Sequence, residues 1–253
     1  MPEDILRTEN LSVSFDGFRA LNRLDFSLQR GELRVVIGPN GAGKTTLLDA
    51  ICGKVTPSEG RVLFKGQDLR GLREYQIVHL GIGRKFQTPS IYRDHTVFEN
   101  LELSFKAKKT VFSTLFAQRS RTLREQIYRI LELIGLQDKI DYRAGALSHG
   151  EKQWLEIGMV IVLDPDLLLI DEPVAGMTDD ESEKTGELLK SIAQDQAILV
   201  IEHDMTFVRQ IARTVTVLHE GALLFEGPVD EVQRHPRVIE IYLGREKSTH
   251  AQH

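Results

Sequence analysis

The sequence predicts an α/β fold built on a parallel sheet, with an antiparallel β patch near its start and a helical segment inserted midway. Three observations carry this. A β-rich run, Leu33–Ile37, leads into Gly38-Pro39-Asn40-Gly41-Ala42-Gly43-Lys44-Thr45 and then into a helix-forming stretch over 45–51. Far downstream, Leu167-Leu168-Leu169-Ile170 is an uninterrupted apolar run, the pattern of a strand buried on both faces of a parallel sheet. Strands and helices then alternate over 197–201, 204–212 and 214–218, the order that builds such a sheet.

The remaining elements are read in chain order. Residues 6–15, 24–28 and 61–64 alternate apolar with polar, and Lys65-Gly66-Gln67-Asp68 supplies a turn, so these form the antiparallel patch. Between 88 and 164 the period changes. Leu123, Ile127, Ile130, Leu131 and Ile134 recur at helical spacing before Gly135, a natural stop, and 151–163 reads as a second helix on which Trp154 packs. Gly221-Ala222-Leu223-Leu224-Phe225-Glu226-Gly227 makes a short final hairpin.

The loop after the first core strand fits G-x-x-x-x-G-K-[ST]. Its glycines let backbone N–H groups turn inward around a phosphate, and the following helix aims its positive end at the same point. Lys44 then reaches the β- and γ-phosphates, Thr45 offers its hydroxyl to Mg²⁺, and Thr46 continues the cradle. The second core strand ends in Asp171-Glu172. Beside a phosphate-binding loop, Asp171 suits the metal and Glu172 suits orienting or deprotonating an attacking water; without that loop the pair would read as a solvated acidic turn.

Composition excludes several classes. A formal net charge of −5 and the lack of a long basic run argue against nucleic acid as a partner. Cys52 is the only cysteine, so no intrachain disulfide forms; it is expected buried in the helix after the loop. Met1-Pro2-Glu3-Asp4 lacks the plan of a signal peptide, and the best apolar stretch, 157–170, is broken by Asp164-Pro165-Asp166, so no membrane span is expected.

From about residue 6 to 243 the motifs, in this order, resemble the ATP-binding cassette (ABC) ATPases. The resemblance implies a P-loop NTPase parallel-sheet core with an antiparallel β patch, about 1–87 and 165–253, and an inserted helical subdomain, about 88–164. It implies that Gln87 belongs to a loop touching Mg²⁺ and water, and that Ser148 and Gly150 belong to a signature loop facing the γ-phosphate held by a second subunit. His203 matches a switch histidine after a strand, and Phe15 matches an aromatic that stacks on adenine, with Phe18 the alternative if the register slips. The residues after Glu172 match a loop crossing between subunits. Two departures stand out. His149 and Glu151 replace the family's usual glycine and glutamine, and Thr178 stands where many relatives carry aspartate. His149 is expected either to face solvent without a role or to sense charge near the phosphate.

The implied activity is ATP hydrolysis with Mg²⁺, by a head-to-tail pair with a second cassette, either another copy or a related ATPase. The implied setting is the cytoplasmic face of a membrane, beneath permease subunits and indirectly served by a substrate-binding protein. The 90–100 segment, Ser90 to Asn100, is the expected docking surface. Asp171-Glu172-Pro173-Val174-Ala175-Gly176-Met177-Thr178 and Ile239-Glu240-Ile241-Tyr242-Leu243-Gly244 resemble the branched-chain amino acid importer ATPases. Within that group, residues 147–159 with 174–179 are most similar to the ATPases of urea uptake, which makes urea the expected cargo and branched-chain amino acids or short amides the alternative. A soluble cassette of iron–sulfur cluster assembly is a more distant alternative.

Overall fold

The structure, a computed structural model, describes residues 4–85, 91–107 and 119–241. It begins with a long hairpin, β1 (Asp4–Phe15) and β2 (Phe18–Gln29), turned by Asp16-Gly17 with both residues at positive φ. That two-residue geometry matches the twist of the flanking strands, so β2 starts six residues before the alternation at 24–28. β4 (Glu59–Phe64) and β5 (Gln67–Asp68) complete an antiparallel sheet in the order β2-β1-β4-β5.

The second sheet takes β3 (Leu33–Ile37), β6 (Ile82–Lys85), β7 (Leu167–Asp171), β8 (Ala197–Ile201), β9 (Thr214–His219) and β10 (Ala222–Pro228) in the order β10-β9-β3-β8-β7-β6. Its strands run parallel except β10, which folds back against β9 around Glu220-Gly221. Every residue of β3, β7 and β8 is buried, as the apolar runs require of strands covered on both faces.

The pleat divides those residues between two cores. Leu167, Leu169, Leu199, Ile201 and Val36 join the antiparallel sheet and α1 (Lys44–Ile51). Leu168, Ile170, Ile198, Val200, Val35 and Ile37 face the opposite side, with α6 (Asp179–Ile192) and α7 (Met205–Ile211). Also in this second core are side chains of α3 (Val97–Ala107), α4 (Arg119–Leu133) and α5 (His149–Ile161), the helices lying between β6 and β7. Shorter helices α2 (Glu74–Leu80) and α8 (Val229–Arg234) flank the sheet. Cys52 caps the end of α1 half-buried, and that burial pushes the thiol up to about 11. Among the described residues no helix is long and apolar enough to cross a membrane.

This topology gathers the motifs at one edge. Parallel strands β3, β7 and β8 end together, with Ile201 paired to both Val36 and Asp171. The loops leaving these strands therefore meet at the carboxyl ends of the sheet, where ligands of open α/β folds sit.

Candidate active site

The loop from Gly38 to Gly43 closes tightly, with Ala42 N–H donating to Pro39 O at 3.1 Å. Gly38 permits a close approach that nothing larger could make: a Cβ there would stand 2.3 Å from Leu218 O. Pro39 is half-buried and Asn40 and Gly41 are exposed, leaving the rim of the loop open. Lys44, the first residue of α1, folds its ammonium back to donate to Gly38 O at 2.7 Å and Pro39 O at 3.1 Å. Its charge is thus held over the loop. Thr45 and Thr46 lie in the first turn of α1, where unpaired N–H groups and the helix dipole favour an anion.

Thr45 Oγ1 donates to Asp171 Oδ2 at 3.4 Å. Asp171 is 2% exposed, and its other oxygen, Oδ1, is buried without a hydrogen-bond partner among the described residues. Burial first, and the neighbouring Glu172 carboxylate second, push the Asp171 carboxyl above its ordinary value. An unsatisfied carboxylate oxygen beside a hydroxyl fits a hard divalent cation, which would relieve both penalties. Among the described residues there is no cluster of three protein carboxylate, imidazole or thiol ligands, so phosphate oxygens and water would contribute to the ligand set.

Glu172 comes directly after, in the left-handed region at φ 48°, with its N–H held by Ile201 O at 3.0 Å. A glutamate rarely adopts that backbone, which turns the side chain from the strand direction toward β8. There His203 Nδ1 lies 3.7 Å from Glu172 Oε1 and 3.8 Å from Glu202 Oε2. Glu202 is the residue that sequence reading missed. It is 1% exposed and accepts from the N–H groups of His203 at 2.7 Å and Asp204 at 3.1 Å, pinning the loop after β8. Burial raises its carboxyl despite those bonds. The available signal was a lone acid closing the apolar strand 197–201.

The signature residues keep different company. Ser148 is the N-cap of α5 in a capping box with Glu151, and its hydroxyl also donates to Glu181 Oε1 at 3.2 Å. Gly150 packs against the same carboxylate. Burial opposes the ionisation of Glu151, but Lys139 and the Ser148 N–H outweigh it and hold the carboxyl low. Thr178 is the N-cap of α6, boxed with Glu181. Phe15 and Phe18 sit opposite one another across the first hairpin, 46% and 64% exposed, both open to a flat ligand. Trp154 packs half-buried and donates to Thr185 Oγ1 at 2.9 Å. Gln87 lies outside the described residues, as does Ser90. The expected docking segment divides: Val97 and Asn100 are fully buried, whereas Tyr92 is 53% exposed beside His95. Asn100 is consumed internally, bonding Tyr92 O, Thr96 O and the Tyr92 N–H.

A phosphate loop, a buried acid, a second acid and a histidine thus meet at strand ends, and comparison with known proteins gives the same family. The ABC transporter family model matches residues 21–175. The chain belongs to the ABC transporter ATPases. A further model, of branched-chain amino acid ATP-binding cassette transporters, matches residues 222–248 of this cassette. The high-affinity branched-chain amino acid transport ATP-binding protein LivG of Escherichia coli K12 is 35% identical, over 96% of this chain and 99% of that one. A probable branched-chain amino acid transport ATP-binding protein LivG of Archaeoglobus fulgidus is 33% identical, over 96% and 97%. The crystal structure of the ADP conformation of an ABC transporter's cassette superposes with a TM-score of 0.85 at 31% identity, covering 96% of this chain and 99% of that one. The cassette is therefore an ATPase of the LivG-type group. None of these relatives is named for urea; they favour the branched-chain alternative over the expected urea cargo.

Proposed function

We propose that this cassette hydrolyses Mg·ATP to drive an importer of branched-chain amino acids. The observation that carries the catalytic part is the placement of Glu172, turned by a left-handed backbone from the buried Asp171 toward His203. Gly38, Pro39, Asn40, Gly41, Ala42, Gly43, Lys44, Thr45 and Thr46 hold the phosphates through N–H groups and the ammonium, and Phe15 stacks on the adenine. Thr45 and Asp171 would hold Mg²⁺, together with Gln87 as the family resemblance implies, and the ion would neutralise charge on the phosphate oxygens. Glu172 accepts the proton of the attacking water, and His203, steadied by Glu202, donates to the γ-phosphate.

Ser148 and Gly150 complete the site of a second cassette, a copy or a related ATPase. Because the γ-phosphate then bridges two chains, its loss removes contacts made only in the closed pair and biases the pair open. The region 88–164 acts as a helical subdomain between the core, 1–87 and 165–253, and permease subunits at the cytoplasmic membrane face, which a substrate-binding protein supplies.

Glu172→Gln keeps size and ATP binding but cannot accept the proton, so kcat falls by about 10²-fold or more. Wild-type turnover in that variant would remove Glu172 as the base. The cargo is tested by deleting the subunit and measuring uptake of labelled leucine and labelled urea. Lost leucine uptake with intact urea uptake supports the branched-chain reading. The reverse supports urea, the second reading, which rests on residues 147–159.

A further inference from the structure

His149 stands where the family's usual signature has glycine; it is exposed, as the solvent-facing expectation has it, yet the structure also gives it a contact. Its Nε2 lies 3.0 Å from Ala175 O, across 26 residues of sequence. A carbonyl only accepts, so the imidazole carries its hydrogen on Nε2 and donates. The ring lies flush against the crossing segment: a Cβ on Gly176, itself at φ 74°, would meet it at 3.4 Å.

A second tie runs beside the first. Ser148 Oγ donates to Glu181 Oε1, while Glu181 Oε2 accepts from Thr178 N at 3.1 Å and Thr178 Oγ1 at 3.3 Å. Gly150 admits that carboxylate, since a Cβ there would stand 2.5 Å from Glu181 Oε1. Further along, Trp154 on α5 bonds Thr185 on α6. The start of α5 and the stretch from Ala175 to Glu181 are thus stitched on both sides, and that stretch begins three residues after Glu172.

We propose that His149 is a positioning residue that fastens the signature loop to the crossing segment of its own chain, so that the two move together. Resting on the nucleotide reading above, this couples two events. The crossing segment is continuous with Glu172 and so tracks the state of the chain's own nucleotide. The signature loop offers Ser148 to the nucleotide of the other cassette. The His149 bond passes the state of one site to the loop serving the other, within one chain. With glycine at 149, no side chain reaches Ala175, and only the contacts further along, Ser148 and Gly150 with Glu181 and Trp154 with Thr185, remain.

Hydrogen exchange by mass spectrometry on the whole chain tests this, comparing wild type, His149→Gly and His149→Gln. Gln keeps an N–H donor on a side chain of comparable reach. Without nucleotide, His149→Gly is expected to speed exchange in peptides covering 147–151 and 174–178 together, by roughly threefold to tenfold, the scale of one hydrogen bond. His149→Gln restores both. Unchanged exchange at 174–178 in His149→Gly overturns the tie, and this arm needs no nucleotide.

The second arm adds the Mg²⁺ complex of a non-hydrolysable ATP analogue, whose binding is measured separately by fluorescence. Slowed exchange at 147–151 in wild type and His149→Gln, but not in His149→Gly, supports the coupling. An equal response in all three overturns it. Absence of analogue binding by wild type instead defeats the nucleotide reading and leaves the first arm to decide the tie.

Discussion

Replacing Glu156 with leucine should strand a buried cation. Lys85, the last residue of β6, has a fully buried side chain whose ammonium finds no hydrogen-bond partner at close range among the described residues, and the carboxylate of Glu156 on α5 lies 3.7 Å away. Burial lowers the Lys85 value; Glu156, and more weakly Asp171, oppose that. Removing one partner of a buried pair costs about 3–5 kcal/mol. Deprotonation sets a ceiling, since neutralising a lysine of ordinary pKa at pH 7 costs about 4.6 kcal/mol. The two figures agree. For a chain of this size about 1 kcal/mol shifts the melting temperature by about 2–4 °C, so Glu156→Leu is expected to melt roughly 6–20 °C early.

The pH dependence has a definite sign. A lysine whose folded value is depressed binds fewer protons folded than unfolded, so stability rises with pH until the unfolded value is reached. The deficit of Glu156→Leu should therefore shrink between pH 7 and about 9.5. Lys85→Met with Glu156→Leu removes both charges and should return to within about 1 kcal/mol of wild type. Circular dichroism melts and urea unfolding at two pH values measure all of this. A single variant melting within about 2 °C of wild type, or a double variant worse than the single, refutes the reasoning.

Two further outcomes are expected. Gly38→Ala places a methyl 2.3 Å from a backbone carbonyl on β9, so the loop must shift; fluorescence titration should show nucleotide binding weakened at least tenfold, and wild-type affinity would mean the loop yields freely. Asp171 has its carboxyl raised by burial and by Glu172, so its stability contribution is full below the ordinary aspartate value and lost as pH rises through the folded value. Asp171→Asn should therefore melt higher than wild type without nucleotide at pH 7.5, with no such gain near pH 3, while losing hydrolysis; a lower melt at pH 7.5 would contradict a costly buried charge.

How much of this was legible depends on sequence distance. Leu167–Asp171 announces a doubly covered strand because each residue meets apolar neighbours on its own side, and the acids at its end stand out against that run. The loop at 38–45 is legible because its demands are local: glycines for tight backbone, a lysine, a hydroxyl. Lys85 was invisible for the opposite reason. Nothing local in Ile82–Lys85 marks it for burial, and only α5, some seventy residues on, supplies the cover and the carboxylate that keep it inside. Glu181 closes the capping box of α6, and its contact with Ser148 arises from packing of α5 beside α6. The urea expectation failed to gain support because the relatives are named for branched-chain amino acids, and the motifs that suggested urea carry no chemistry specific to it.

His149 joins these two kinds of residue. From sequence it is only a departure, a ring where backbone is usual, with a solvent-facing side chain the favoured reading, and it is indeed exposed. Its partner is a carbonyl, which no side-chain pattern reveals, supplied by Ala175 in a segment whose course is set by the left-handed turn at Glu172. That turn is dictated in turn by β7 ending beside β8, where Ile201 takes the Glu172 N–H. The contact between signature loop and crossing segment is therefore a consequence of strand order, β8-β7-β6, acting through one strained residue. A change that relaxes Glu172 toward ordinary β backbone would redirect the chain leading to Ala175, so the proposed base and the proposed tie depend on the same φ angle.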